Sequence, residues 1–258
     1  MQLDGNLNFE RGGNRNGPTL LLIHAMGADL SFWSACRSIW EPHLDCIAID
    51  QRGAGRSPAS PVPLSPADHA ADLAAFCKRE NLTQVGAVGC AVGAMAAAVF
   101  AARHLDLVNM LVLSNPGHRI ADPARSLLAR RAETAREGGM SAIMPAATAA
   151  AFEGCPDDDR QRAYVARFAA QDPQAYALQI EGMLDADISG DLPSIACPTL
   201  IVGGGRDRLL PIFHAEAIHA AMPASRLVRY EDGAHFIPYQ QPDRFAHDVL
   251  RFVNENAR

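Results

Sequence analysis

A glycine-flanked turn, an acid and a histidine occur along this chain in the order that acyl-transfer chemistry uses: Gly89-Cys90-Ala91-Val92-Gly93, then Asp207, then His235. Where a strand meets a helix, a Gly-x-Nu-x-Gly turn lifts its central side chain clear of the sheet and aims the next N–H at a developing oxyanion. The central residue here is Ala91, which keeps the turn and carries no nucleophilic oxygen. Val92 supplies the expected N–H, with the partial positive charge of a helix N-terminus behind it. A second donor is expected at Met26, in the tight His24-Ala25-Met26-Gly27 turn after an apolar run. Asp207 follows the run ending Val202-Gly203, and His235 lies in Asp232-Gly233-Ala234-His235-Phe236. An acid that orients a histidine makes a general base.

Ala91 has three readings. It is a Ser→Ala replacement that traps a substrate, a native alanine in an enzyme needing no covalent intermediate, or the mark of lost catalysis that leaves a binding protein. Retention of Asp207 and His235 argues against the last, because binding alone requires no acid-base pair. Cys90 is a thiol one residue too early, since the turn presents its central residue and not the preceding one. It reads as a small packed residue. Asp50, in Asp50-Gln51-Arg52-Gly53-Ala54-Gly55-Arg56-Ser57, is expected to be structural, as is the His24 ring. Arg206 and Arg208 flank Asp207 and allow the blander alternative of a surface ion-pair cluster. Arg125, Arg130, Arg131 and Arg136 read as a solvated helix face, with Arg130 and Arg131 the candidates for holding a substrate carboxylate.

The elements that must position these groups alternate along the chain. Apolar runs of strand length occur at Thr19–Ile23, Cys46–Ile49, Gln84–Val88, Met110–Leu113, Thr199–Val202 and Arg226–Tyr230. Short continuous apolar runs imply strands buried on both faces, hence an α/β fold with a mostly parallel sheet between helices. Helices are expected over 65–80, where Ser65-Pro66 gives an N-cap and a proline in the first turn, over 91–104 and over 242–254. Residues 120–190 have helical composition and no strand-like run, broken at Gly138-Gly139, Pro145, Gly154-Cys155-Pro156 and Asp172-Pro173. They are expected to form a helical cap inserted into a core of residues 1–119 and 191–258.

Composition narrows the partners. The 258 residues are 48% hydrophobic and 20% charged, which suits one domain with a large core. The formal net charge is −6 and no basic run stands out, so neither nucleic acid nor an anionic membrane is expected, and a small-molecule substrate is. The six cysteines form no C-x-x-C pair or zinc pattern and read as reduced thiols, with no metal and no cofactor expected. Neither a leader at residues 1–6 nor a run of roughly 18 apolar residues is evident, so a soluble cytoplasmic protein is expected, as monomer or homodimer.

Together the turn at Ala91, the D-x-R-G-x-G-x-S segment at Asp50–Ser57, and the order Ala91, Asp207, His235 resemble the α/β-hydrolase superfamily. The likeness spans nearly the whole chain. Within it, Gly27-Ala28-Asp29-Leu30-Ser31-Phe32-Trp33, Arg136-Glu137-Gly138-Gly139-Met140 and Asp185-Ala186-Asp187 are similar to 3-oxoadipate enol-lactonases, which carry serine at the position of Ala91. Gly89-Cys90-Ala91-Val92-Gly93-Ala94 instead resembles the aminoacrylate hydrolases of pyrimidine breakdown, which have alanine there. The resemblance implies a hydrolase of an activated ester, lactone or C–N bond. A lyase or cofactor-free oxygenase using His235 as base, and a non-catalytic binding protein, remain the alternatives.

Overall fold

The computed structural model describes residues 5–256. Residues 1–4, on which the expected lack of a leader partly rests, lie outside them. Seven strands, β1 (Phe9–Gly13), β2 (Thr19–Ile23), β3 (Asp45–Ile49), β4 (Val85–Cys90), β5 (Val108–Ser114), β6 (Thr199–Gly204) and β7 (Arg226–Tyr230), form one sheet in the order β1-β3-β2-β4-β5-β6-β7. All neighbours are parallel except β1, which pairs antiparallel with β3 at the edge. The apolar runs named above are the parallel strands. β1 is an addition to them: its Phe-Glu-Arg-Gly-Gly sequence is half-exposed and has no apolar run to mark it.

The helices are α1 (Ser34–Trp40), α2 (Pro66–Arg79), α3 (Val92–Arg103), α4 (Asp122–Gly138), α5 (Met140–Ile143), α6 (Ala146–Ala149), α7 (Asp159–Ala169), α8 (Pro173–Glu181), α9 (Phe213–Ala221), α10 (Ile237–Gln240) and α11 (Pro242–Asn256). Because strand side chains alternate, each strand feeds two cores. Leu20 and Leu22 pack with Trp33, Trp40, Phe245 and Val249 on one face; Leu21 and Ile23 pack with Leu73, Phe76, Val99 and Phe100 on the other. α11 buries Phe245, Ala246, Val249, Phe252 and Val253, one stripe at helical spacing. α2 starts at Ser65, whose hydroxyl accepts from Asp68 N–H while the Asp68 carboxylate accepts from Ser65 N–H. That capping box fixes where the helix begins.

Between β5 and β6 run helices α4 to α8, with one isolated antiparallel bridge between Arg119 and Asp187, and the predicted breakers fall between or at the ends of the helices. Gly138 ends α4, Pro145 separates α5 from α6, and Asp172 caps α8 by accepting from Ala175 N–H. α4 and α8 are tied by Arg136, which pairs with Glu181 and donates to Gln174. Among the described residues no helix is long and apolar enough to cross a membrane.

Candidate active site

β4 ends at Cys90 and α3 begins at Val92, so Ala91 makes the turn between them, at φ 51° and ψ −115°. Positive φ is strained for alanine and must be held by its surroundings. The Ala91 N–H donates to the Ser114 carbonyl, and its own carbonyl accepts from Ala94 and Met95. Strand and helix cross closely enough that only glycine fits at the flanks. A Cβ on Gly89 would lie 2.3 Å from the Gly93 carbonyl oxygen, and one on Gly93 would lie 2.4 Å from those of Ile23 and His24. The Ala91 methyl stands on the wall of a cavity of about 450 Å³.

His235 lines that cavity, and Asp207 lies behind it. Asp207 Oδ2 lies 2.9 Å from His235 Nδ1, and the carboxylate also accepts from the N–H groups of Leu209 and Leu210 and from Asn115 Nδ2. Burial pushes the Asp207 carboxyl up, but the His235 ring, the Leu210 N–H and the Asn115 amide outweigh it and the net shift is down. Asp207 thus holds the His235 ring through Nδ1, the arrangement in which an acid orients a histidine. Asp207 is therefore not part of a surface ion-pair cluster: it is 5% exposed, and Arg208 turns outward to Glu153.

Met26 and Val92 line the same cavity. Val92 is the first residue of α3, so its N–H has no partner within the helix. Among the described residues no backbone hydrogen bond takes up the N–H of either residue. The loop carrying Met26 is set from below by His24. Its Nε2 accepts from Gln51 N–H and its Nδ1 donates to the Ala25 carbonyl, which requires a neutral ring, and burial lowers its pKa accordingly. Asp50 is structural as expected, accepting from Leu30 and Arg56 N–H and from Asn8. Cys90 is fully buried, off the cavity wall, and burial raises its thiol well above the ordinary range. It is a packed residue, unsuited to act as a nucleophile.

The segment 120–190 contributes most of the remaining wall. Of the two candidate arginines, Arg131 lines the cavity together with Tyr176, whereas Arg130 is exposed and does not line it. Successive helical residues point about 100° apart, so only one of the pair can face inward. Arg125 and Arg136 are engaged with Asp185 and Glu181.

Several wall and support residues carry no sequence motif. Asn115, at φ 47°, follows β5 and bridges Asp207 to the Ala234 carbonyl through its Nδ2. His214 lines the cavity with its Nδ1 2.9 Å from that of His118, and burial brings its pKa down to about 4. Gln171 Nε2 donates to the Gly27 carbonyl at 2.7 Å, while Gln179 accepts from Gly27 N–H and donates to the Gly53 carbonyl. Asn115 had one signal available, a polar residue in Asn-Pro-Gly at the carboxyl end of a buried strand, where α/β sheets place their sites. No group of three or more His, Cys, Asp or Glu among the described residues is arranged to hold a metal ion.

A parallel sheet flanked by helices, an elbow after β4, an acid after β6 and a histidine after β7 define the α/β-hydrolase class. Residues 18–242 match the family described as the alpha/beta hydrolase fold, and the chain belongs to it. Among its relatives is a protein of Klebsiella pneumoniae (strain 342) named carbamate hydrolase RutD, 26% identical over 239 residues, 88% of each chain. Similar solved structures include the enol-lactonase from Burkholderia xenovorans LB400, at TM-score 0.89 and 25% identity over 96% of both chains. A thermophilic esterase from Thermogutta terrifontis superposes at TM-score 0.88 with 26% identity, over 98% of this chain and 94% of the other.

Proposed function

We propose that this chain hydrolyses a small activated ester, lactone or C–N substrate of the carbamate or enamine kind, by direct attack of water and with Ala91 native. The observation that carries the reading is the placement of His235, held by Asp207, with Ala91, Met26 and Val92 around one cavity. His235 Nε2 takes a proton from water as its oxygen bonds to the carbonyl carbon. The π pair moves to the carbonyl oxygen, which the N–H groups of Met26 and Val92 stabilise. As the C–X bond breaks, His235 returns the proton to the leaving group. Proton transfer contributes about 10²–10⁴-fold and an oxyanion donor about 10²–10³-fold, enough for an activated bond and short of what a stable amide needs. The names of the relatives, carbamate hydrolase and enol-lactonase, support the two substrate types. Arg131, on the cavity wall with Tyr176, is the residue to bind a substrate carboxylate. Free cysteines throughout the chain support a reducing, cytoplasmic setting.

The test is turnover of a panel of enol-lactones, carbamates and activated esters in ¹⁸O-labelled water. Hydrolysis places solvent oxygen in the product, His235→Ala abolishes it, and Ala91→Ser changes the rate by less than about 10-fold. Turnover without solvent oxygen points to a lyase or an oxygenase, an unchanged His235→Ala removes the reading, and a large gain in Ala91→Ser identifies a missing serine. Ligand binding without turnover, in both the native chain and Ala91→Ser, identifies a binding protein.

A further inference from the structure

The cavity lined by His235 is larger and more apolar than the reacting bond requires. Sites that take drug-sized ligands measure ~300–1,000 Å³, and this one, at about 450 Å³, falls among them. A one-carbon carbamate or a two-carbon ester fills a small part of it. α4 turns one stripe toward it, Ala124, Leu127, Leu128 and Arg131, at the i, i+3, i+4, i+7 spacing of a single helix face. At about 1.5 Å per residue the stripe is about 10 Å long. Leu209, Leu210 and Phe213 line the cavity from the loop before α9 and its first residue. Leu209 and Leu210 give their N–H groups to the Asp207 carboxylate, so this apolar wall is joined to the acid behind His235.

Leu127 is 49% exposed and Phe213 53%, yet both line the cavity, whereas the exposed Val62 and Leu105 do not. A large apolar side chain left half in water forgoes burial, and two of them at one opening mark an apolar contact surface. The charged residues on the wall are Arg119, Arg131 and Arg208, with no Asp or Glu among the described residues that line it. In a chain of net charge −6, that wall suits a ligand both apolar and anionic. We infer that the substrate carries an apolar group of several carbons, a chain or a ring, which lies along the α4 stripe and against Leu210 and reaches Leu127 and Phe213 where the cavity meets solvent. The inference rests on the hydrolase reading for the bond that breaks, and on the cavity alone for the group that is bound. That group takes no part in the bond changes. Each methylene that leaves water on this wall multiplies kcat/KM about 2–4-fold until the wall ends.

The experiment measures kcat/KM for vinyl esters from acetate to hexanoate, which share one leaving group, and Kd for the matching alkanoates by calorimetry. Both are run on the wild-type chain and on the double variant Leu127→Ser/Phe213→Ser, whose two side chains are half exposed and outside the packed cores. In the wild type, kcat/KM and affinity are expected to rise about 2–4-fold per methylene, and the double variant is expected to lower the hexanoate-to-acetate ratio about 10-fold. Acetate turned over as well as hexanoate overturns the inference and leaves the hydrolase reading standing. A double variant that keeps the wild-type ratio also overturns it, and if that variant turns a dimer into a monomer, Leu127 and Phe213 are contacts with a second copy. Where the vinyl esters are not turned over, the alkanoates decide: affinity that climbs in the wild type and flattens in the double variant supports the inference, and a flat wild-type series overturns it. The hydrolase reading falls separately, when enol-lactones, carbamates and esters are all inert.

Discussion

Asn115 shows how a residue outside the acid-histidine pair governs it. Its Nδ2 is 3.0 Å from Asp207 Oδ2 and 2.8 Å from the Ala234 carbonyl, so one amide fixes the acid and the loop that carries His235. Removing it while respecting the positive φ calls for glycine, since alanine adds about 1–2 kcal/mol of backbone strain in that region. Asn115→Gly is expected to lower kcat about 10-fold with little change in KM, as a loosened acid leaves the histidine less well oriented. Asn115→Asp tests electrostatics at the same point. A second carboxylate beside Asp207 raises the pKa of the pair, so the acid limb of the pH–rate profile moves to higher pH. A profile superimposable on wild type removes the claim that Asn115 acts through Asp207.

The helices between β5 and β6 shape the site through the turn after β2. Gly27, at φ 73°, leaves so little room that a Cβ there would lie 2.6 Å from the Phe168 ring. Gln171 and Gln179 grip its carbonyl and its N–H, which anchors the peptides beside Met26 from α8 and the segment before it. An oxyanion donor works because it is already aimed when charge develops, so freeing its loop reduces kcat more than binding. Gln179→Leu is expected to lower kcat about 10-fold, leave KM within about 3-fold and speed hydrogen exchange at the Gly27 amide. Faster exchange with an unchanged kcat means that the anchoring has no catalytic consequence. What the sequence revealed and what it hid divide along the same line. The parallel strands were legible because burial on both faces writes a continuous apolar run, and the elbow because its crossing admits only glycine at the flanks. β1 was not, since an edge strand with Arg11 turned to Asp45 and a Gly-Gly end has no such run. Gln171 and Gln179 were hidden for another reason: each gains its meaning from a partner far away in the chain, and no local spacing encodes that.

For the molecule as a whole, His24 and His69 are buried beneath the site and burial lowers the pKa of each, which makes stability sensitive to acid. His69, on α2, lies among His24, Gln51, Arg52 and Gln179, under the turn that holds Met26. Burial, then the positive charge of Arg52 and the His24 ring, lowers its pKa to about 4 from the ordinary 6.5, while Asp68 opposes the shift. Below pH 6.5 the unfolded chain takes up a proton at this position that the folded chain refuses, so the unfolded state binds more protons and stability falls as pH falls. The loss begins near pH 6.5, continues to about 4 and is absent above neutrality. Between pH 7 and pH 5 this single residue removes about 2 kcal/mol, which lowers Tm by roughly 4–8 °C for a domain of this size. His24 is also lowered by burial, and its Nε2 cannot accept from Gln51 once protonated, so it acts in the same direction. Asp207, with its pKa depressed, adds a loss that sets in as pH falls further through the carboxylate range. His69→Leu is expected to flatten the Tm-against-pH curve between pH 7 and 5 while the curve above pH 7 keeps its shape. Thermal melts of both proteins across pH 4–8 measure it, and an equally steep acid limb in His69→Leu assigns the sensitivity elsewhere. The same protonation lies beneath the Met26 and Val92 amides, so activity that falls with pH in step with Tm is the signature of a site and a core that titrate together.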